Sequence, residues 1–560
     1  MKLKFTPYIY IAFFLWNFGS IYGQELSLKI STKDSVRTVF LNSIKYEKKH
    51  VSENSLFKSL DSIKSKLELK GFLNFSFNTI KQDSIYHTIF NLGKLNNTVR
   101  IFYSDKDISK EELFRISSNV SVDHFDVPTE NVSHVLNEIL GFFETRGNSF
   151  TRVSLKDIVV NSNLIEAHLA IEKSNSRKID NIIMNGYEDF PKPYLSNYLR
   201  LEKNTIFNRS KLDKASLLIN TLPFVTEIKP AEVLFTKDST VVYLYLKKKV
   251  SSKFDGLVGF TSKDNGGISF NGYLDLLLNN IFNTGESFSL YWKNNGEERQ
   301  VFNIGVTIPY IFNTRFSPQA SLNIYKQDST FINTKTKFLL PYSINERNTL
   351  GGSLYLETSS NLLTNNLSND INDFNTVFYG VNYSYQVPNN SFLFPIKFSL
   401  FSEVLSGNRK SNNDRLNQSK INLKADYLWR LNFKNHIYIQ NETSTLFSEN
   451  ILTNELFRIG GVNSIRGFDE ESILASTYSF FTFEYRFSAG NSSYLYSITD
   501  LGYVDNEITN QSSQIFSLGL GYLFNTKLGM LNLSYAIGKF SNQPIDIDNS
   551  RFHLKIISFF

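Results

Sequence analysis

Cysteine is absent from this 560-residue chain, which removes disulfide frameworks, thiolate metal sites and a lipid-anchoring cysteine of the lipoprotein type. The seven histidines are scattered, and no two have a spacing suited to a metal ion, so neither metal nor cofactor is expected. No run of about 18 apolar residues occurs, so no helix is expected to span a membrane. A net charge of +6 is small for this length and gives no reason to expect nucleic acid. Gly-x-Ser-x-Gly elbows, His-Glu-x-x-His helices and phosphate loops are missing as well. The chain is therefore not read as an enzyme.

Phenylalanine and tyrosine are abundant: 50 Phe and 29 Tyr stand against 3 Trp and 3 Met. A soluble core seldom needs so many, whereas a transmembrane β-barrel coats its lipid face and both interfaces with them. A compositional bias towards Phe, Tyr, Asn, Lys and Ile is the competing source. Residues 1–23 have the form of a secretory signal, with Lys2 and Lys4 before a short apolar stretch and Gly23 before the expected cut. An exported chain without a spanning helix enters a membrane only as a closed barrel, because every backbone polar group must then be satisfied internally.

Up to about residue 249, amphipathic helices alternate with strand pairs. The segment 55–69 places Leu56, Leu60, Ile63 and Leu67 on one face. A second stripe carries Val132, Val135, Leu136, Ile139, Leu140 and Phe143, and a third carries Leu212, Ala215, Leu218, Ile219 and Leu222 before Pro223. Strand-like pairs follow each: 73–79 with 98–103, 152–160 with 164–172, and 225–235 with 241–247. Helix then strand pair, every 70–75 residues or so, is a repeat of architecture. It divides the N-terminal region into 24–105, 106–176 and 177–250. The third unit also begins with a strand, 178–184.

Beyond Lys247-Lys248-Lys249 the pattern becomes short alternating strands with polar turns. Roughly 310 residues at about 19 per strand and turn give about 16 strands, the even number an antiparallel barrel requires. In 480–487, Phe481, Phe483, Tyr485 and Phe487 share one face and Thr482, Glu484 and Arg486 the other. The polar stretches 359–375 and 407–420 are expected to be extracellular loops.

One stretch stands out: Gly460-Gly461-Val462-Asn463-Ser464-Ile465-Arg466-Gly467-Phe468. It resembles the signature loop of the BamA/TamA and two-partner-secretion superfamily, in which the loop folds back inside an outer-membrane barrel and its arginine is held by acids on the wall. Asn283-Thr284-Gly285-Glu286, Ile308-Pro309-Tyr310, Asp500-Leu501-Gly502 and the glycine-rich stretch from Gly519 to Tyr535 are similar to other landmarks of that superfamily. The β-α-α-β-β order of the third unit resembles its periplasmic POTRA module.

The resemblance implies N-terminal α+β POTRA-like repeats in the periplasm and a 16-stranded antiparallel barrel over 251–560 in the outer membrane of a Gram-negative bacterium. It also implies partners: outer-membrane lipid, unfolded outer-membrane or secreted protein clients, and accessory subunits. The expected function is insertion, assembly or translocation of polypeptides. A two-partner-secretion transporter and a passive channel or receptor remain as alternatives. Within the barrel, alternation puts Asp500 and Glu484 on the lumenal side, and a dehydrated guanidinium needs a carboxylate partner. Arg466 is therefore expected to pair with Asp500, with Glu484 and Gly502 close by. Gly460, Gly461 and Gly467 would let the loop fold tightly and approach the wall. The last strand alternates Phe552, Leu554, Ile556 and Phe560, similar to the C-terminal signal read by barrel-assembly machinery.

Overall fold

The computed structural model describes residues 25–559 other than 162–163, 263–267, 296–298, 364–370, 390, 392, 413, 491 and 527–528. The expected signal segment, 1–23, lies outside the described residues. Two compact units emerge, one built on residues up to Arg177 together with Ile206–Asn208 and the other on the remaining residues from Lys178 onward.

The first unit contains two modules of one plan. In the first, Leu26–Thr32 runs parallel to Ile85–Asn91, and Ser76–Gln82 pairs antiparallel on the far side. A parallel pair needs a crossover, and the helix Glu53–Leu69 lies within it, burying Leu56, Leu60, Ile63 and Leu67. Ser52 caps that helix by accepting from the Ser55 amide. In the second, Thr98–Phe102 runs parallel to Leu164–Glu172, with Arg152–Asn161 outside it. The covering helix, Val132–Thr145, buries Val135, Ile139 and Phe143.

Strand Thr98–Phe102 corrects the sequence reading, which assigned it to the first module and drew that module's limit at 105. It is an inner strand of the second sheet, between His124–Pro128 and Leu164–Glu172. The first sheet already has its parallel pair, because Leu26–Thr32 and Ile85–Asn91 are both strands that short, mixed-polarity sequence left unread.

The second unit opens with a third module. Asn181–Asn185 runs parallel to Thr240–Lys248, Val225–Phe235 pairs antiparallel with it, and the helix Arg209–Ile219 buries Leu212, Ala215, Leu218 and Ile219. Sixteen strands follow among the described residues: β1 (Lys253–Ser262), β2 (Ile268–Asn279), β3 (Ser287–Asn294), β4 (Arg299–Thr307), β5 (Gln319–Gln327), β6 (Phe331–Ser343), β7 (Asn348–Asn361) and β8 (Phe374–Pro388), then β9 (Ile396–Ser411), β10 (Asp414–Arg430), β11 (Asn435–Ser448), β12 (Thr477–Ser488), β13 (Ser493–Asn506), β14 (Gln511–Thr526), β15 (Gly529–Phe540) and β16 (Arg551–Phe559). They form a closed antiparallel barrel.

Period two sets its two faces. On β12, Phe481, Phe483, Tyr485 and Phe487 are exposed on the outside, while Phe480, Thr482 and Glu484 are buried on the inside. The same rule explains a second correction. Of residues 407–420, expected to be a loop, 407–411 and 414–420 form the outer ends of β9 and β10, in register from Gly407–Gln418 to Ser411–Asp414, and 413 lies outside the described residues. Their polarity is that of a barrel interior: Arg409, Gln418 and Lys420 are all buried. Residues 359–361 and 374–375 likewise belong to β7 and β8, and 364–370 lie outside the described residues.

Candidate functional site: the lumenal loop and the seam

Between β11 and β12 the chain does not turn directly. Residues 449–476 fold into the lumen, where Phe457–Ile459 and Ile473–Ala475 pair as a short ribbon. Gly460 and Gly461 sit at φ 117° and 94°, backbone that side chains rarely adopt. They let the chain fold onto its own return limb. A Cβ on Gly460 would lie 2.4 Å from the Asp469 carbonyl oxygen. The Gly461 amide donates to the Ile465 carbonyl at 3.0 Å.

That fold aims Arg466 at the wall. Its Nε and backbone amide both donate to Asp500 Oδ2, at 3.0 and 3.1 Å, and its Nη2 donates to Asp500 Oδ1 at 2.6 Å. Nη1 donates to Glu484. Asp500 also accepts from the Thr482 hydroxyl at 2.9 Å. Arg466 and its two acids are all buried, so each charge depends on these partners in place of water. Glu484 in turn accepts from Arg486 Nε at 2.8 Å, and that guanidinium lies 3.8 Å from the Tyr438 ring centroid. Two arginines therefore face two carboxylates, and the cluster is neutral.

The glycines at the tip serve close approach. Gly467, at φ 82°, lies against β15, where a Cβ would come within 2.4 Å of the Gly538 amide nitrogen. Phe468 packs edge-on against Phe540 at 5.3 Å. A Cβ on Gly502 would lie 2.9 Å from Ile465 Cδ1, so that glycine leaves room for the buried loop isoleucine. Of the residues singled out in the sequence, Gly460, Gly461, Arg466, Gly467, Phe468, Glu484, Asp500 and Gly502 thus come together. Phe552 and Leu554 do not join them: they are exposed on the outer face of β16. Phe560 and the side chain of Ile556 lie outside the described residues.

The sequence reading missed the rest of the loop's attachments. Glu455 accepts from Arg409 on β9 and from Gln418 on β10 (2.8 Å to the latter) and also from the Leu452 amide at 2.8 Å. Asn454 donates to the Ser359 hydroxyl on β7 at 2.7 Å. Arg458 stacks over the Tyr325 ring at 4.7 Å. Isolated charges at inward positions of strands were the available signal. Beside the loop, a cavity of about 830 Å³ is lined by Asp255, Tyr273, Tyr291, Asn323, Arg458 and His553, among others.

The barrel closes weakly. Across the β1/β16 seam, among the described residues, only Lys253 with Phe559 and Phe254 with Ser558 are in register, whereas the adjoining β1–β2 ladder is continuous from Lys253–Leu277 to Ser262–Ile268.

Against known proteins, residues 261–524 match the profile of a family described as haemolysin secretion/activation protein ShlB/FhaC/HecB. CdiB from Acinetobacter baumannii has the same fold: TM-score 0.54 at 13% identity, over 90% of this chain and 98% of that one. CdiB from Escherichia coli gives 0.53 at 13% identity, over 94% of this chain and 98% of that one. No curated protein matches at the sequence level. Over residues 261–524 the chain is similar to the two-partner-secretion branch of the BamA/TamA superfamily.

That likeness gives an outer-membrane barrel with POTRA-like modules in the periplasm and a part in polypeptide translocation or assembly. Members of the superfamily are transporters and assembly factors rather than enzymes. The periplasmic turns of the barrel carry the third module. The Tyr187 hydroxyl donates to Asn283 Oδ1 at 2.9 Å and accepts from Asn280 Nδ2 at 2.7 Å. Gly285, at φ 81°, faces the Tyr194 ring so closely that a Cβ would lie 2.1 Å from it. Asn197 donates to the Asn313 carbonyl at 3.3 Å, and Arg200 to that of Ile344 at 2.9 Å. Burial raises the Tyr194 phenol and pushes that of Tyr310 up to about 12. Burial alone would raise the Glu346 carboxyl, but its bond to Lys214 holds it below the usual range. The superfamily-like turns at 283–286 and 308–310 are thus the seat of the third module.

Proposed function

We propose that this protein inserts or assembles other polypeptides in the outer membrane, by strand pairing at the β1/β16 seam after capture on the free sheet edges of the periplasmic modules. The observation that carries this reading is the seam, which pairs over two residues of each strand at its periplasmic end. Unpaired strand edges recruit further strands, and strand addition supplies affinity through main-chain hydrogen bonds without any covalent step. In this reading the Arg466 clamp holds the loop against the wall until the seam opens. Three modules, counted as 24 to about 97, about 98–176 and 177–250, supply these edges, and the alternating Phe552 and Leu554 of β16 belong to the strand signal. Periplasmic or lipoprotein subunits are further partners in this reading.

A second reading, export of one dedicated protein through the lumen, is favoured by the profile match over 261–524 and by the cavity beside the loop. The deciding experiment follows a labelled client barrel folding into liposomes that contain the full chain, wild type or Arg466→Ala. Faster client folding with wild type, lost in a variant whose own barrel stays folded, supports insertion. No acceleration by folded wild type rules insertion out in favour of export.

A further inference from the structure

Immediately after the Arg466-Gly467-Phe468 tip come three consecutive acids, Asp469, Glu470 and Glu471, and each reaches a different wall strand. Asp469 accepts both arms of Arg551, the first residue of β16, from Nε at 2.7 Å and Nη2 at 3.0 Å. Glu470 pairs with Lys293, near the end of β3. Its backbone carbonyl accepts from Arg299 Nη1, at the start of β4, at 2.7 Å. Glu471 lies 3.6 Å from the same guanidinium. The fan depends on backbone that L-residues seldom take, since Glu471 sits at φ 55°.

The position of this fan matters more than the strength of any one pair. Strands β16 and β3–β4 lie on opposite sides of the seam, with β1 and β2 between them. The two seam register pairs, Lys253–Phe559 and Phe254–Ser558, lie where β1 begins and β16 ends, at the periplasmic rim. Arg551, Lys293 and Arg299 all lie at the opposite, extracellular ends of their strands. The acids therefore bridge the seam at the end where its backbone ladder is missing.

We propose that Asp469-Glu470-Glu471 is a lumenal staple that holds the extracellular half of the β1/β16 seam together, so that release of the loop also frees the seam. The three acids are positioning residues in this scheme, set in place by the neighbouring Arg466 clamp. The proposal rests on the reading that the seam opens during function.

The test uses the full chain in liposomes, and the lack of native cysteine makes it clean. Spin labels on Phe302→Cys in β4 and Phe552→Cys in β16 report the separation across the extracellular half by pulsed electron resonance. The triple variant Asp469→Asn, Glu470→Gln, Glu471→Gln is expected to broaden that distribution and move it outward by about one strand spacing, ~4.8 Å. Arg551→Gln alone, which leaves the loop untouched, is expected to give part of the same shift. The charge swap Asp469→Arg with Arg551→Glu is expected to restore the narrow distribution. Unchanged distances in the triple variant and in Arg551→Gln overturn the proposal, whatever the client assay gives. A shifted distance together with no acceleration of client folding leaves the staple standing and defeats the insertion reading instead.

Discussion

Arg466 carries a guanidinium whose three bonds are divided between two carboxylates on neighbouring strands, Nε and Nη2 to Asp500 and Nη1 to Glu484, and its value to the loop lies in that division. Truncation to alanine leaves Asp500 and Glu484 buried on the wall, and removing one partner of such a group costs about 3–5 kcal/mol. Arg466→Ala should therefore release the loop and make 460–471 sensitive to added protease, while the heat-modifiable migration of the barrel persists. Arg466→Lys keeps the charge but cannot span both acids with a planar fork, so protease sensitivity should fall between alanine and wild type. Protection of the loop in the alanine variant equal to wild type would remove the clamp from the account. In the second module, the Arg100 guanidinium, bonded to Asp126 at 2.9 and 3.0 Å, holds that carboxyl below the usual range. A depressed carboxyl contributes stability that is complete above its unfolded-state pKa and is lost as pH falls through the folded value. Amide protection of Thr98–Phe102 in the full chain should therefore decline as pH drops below the ordinary aspartate range near 4. In Asp126→Asn, protection should start lower and lose that dependence.

Elements were legible where one physical rule dominated. Helices with a clear apolar stripe, such as Glu53–Leu69 and Val132–Thr145, are visible because Leu56, Leu60, Ile63 and Leu67, or Val135, Ile139 and Phe143, repeat at helical spacing over several turns. The alternation on β12 is equally plain. Illegible segments were those where polarity has two possible causes. Arg409, Gln418 and Lys420 look like loop residues until Glu455 and Glu357 are seen opposite them inside the barrel. Strand Thr98–Phe102 was recognisable as a strand but not as the second module's, since partner choice depends on parallel pairing across some 60 residues. The loop's arginine and its acids could be read because a buried guanidinium must be answered. The acids that follow it could not, because Asp469, Glu470 and Glu471 resemble any solvated turn. Close packing at the tip gives a direct check. Gly467→Ala would force a Cβ to 2.4 Å from the Gly538 amide nitrogen in left-handed backbone, so it should undock Phe468 and expose the loop to protease about as fully as Arg466→Ala does. Wild-type protection in Gly467→Ala would mean the tip does not rest on β15.

For the whole molecule, the two readings of function differ in which opening a client uses. Insertion requires β1 and β16 to part, whereas export through the lumen requires the loop to move and the barrel to remain closed. A cysteine pair at Phe254 and Ser558, in register across the seam, can lock the closure in a chain with no other thiol. Under insertion, oxidation of that pair should abolish accelerated folding of a client barrel in liposomes, and reductant should restore it. Under dedicated export, the oxidised protein should release its secreted partner at the wild-type rate, and only a block on loop movement should stop it. A disulfide between Gly467→Cys and Gly538→Cys would replace both glycines at the contact and distort the site, so Phe468→Cys with Phe540→Cys, joined by a short thiol-to-thiol cross-linker, is the better loop lock. Their rings already meet at 5.3 Å. Locking seam and loop separately therefore assigns the client's route: loss with the seam lock alone identifies an insertase, and loss with the loop lock alone identifies a secretion pore. Loss with both is the outcome expected of an insertase whose acid staple couples the two movements, because the seam would then not part until the loop is released.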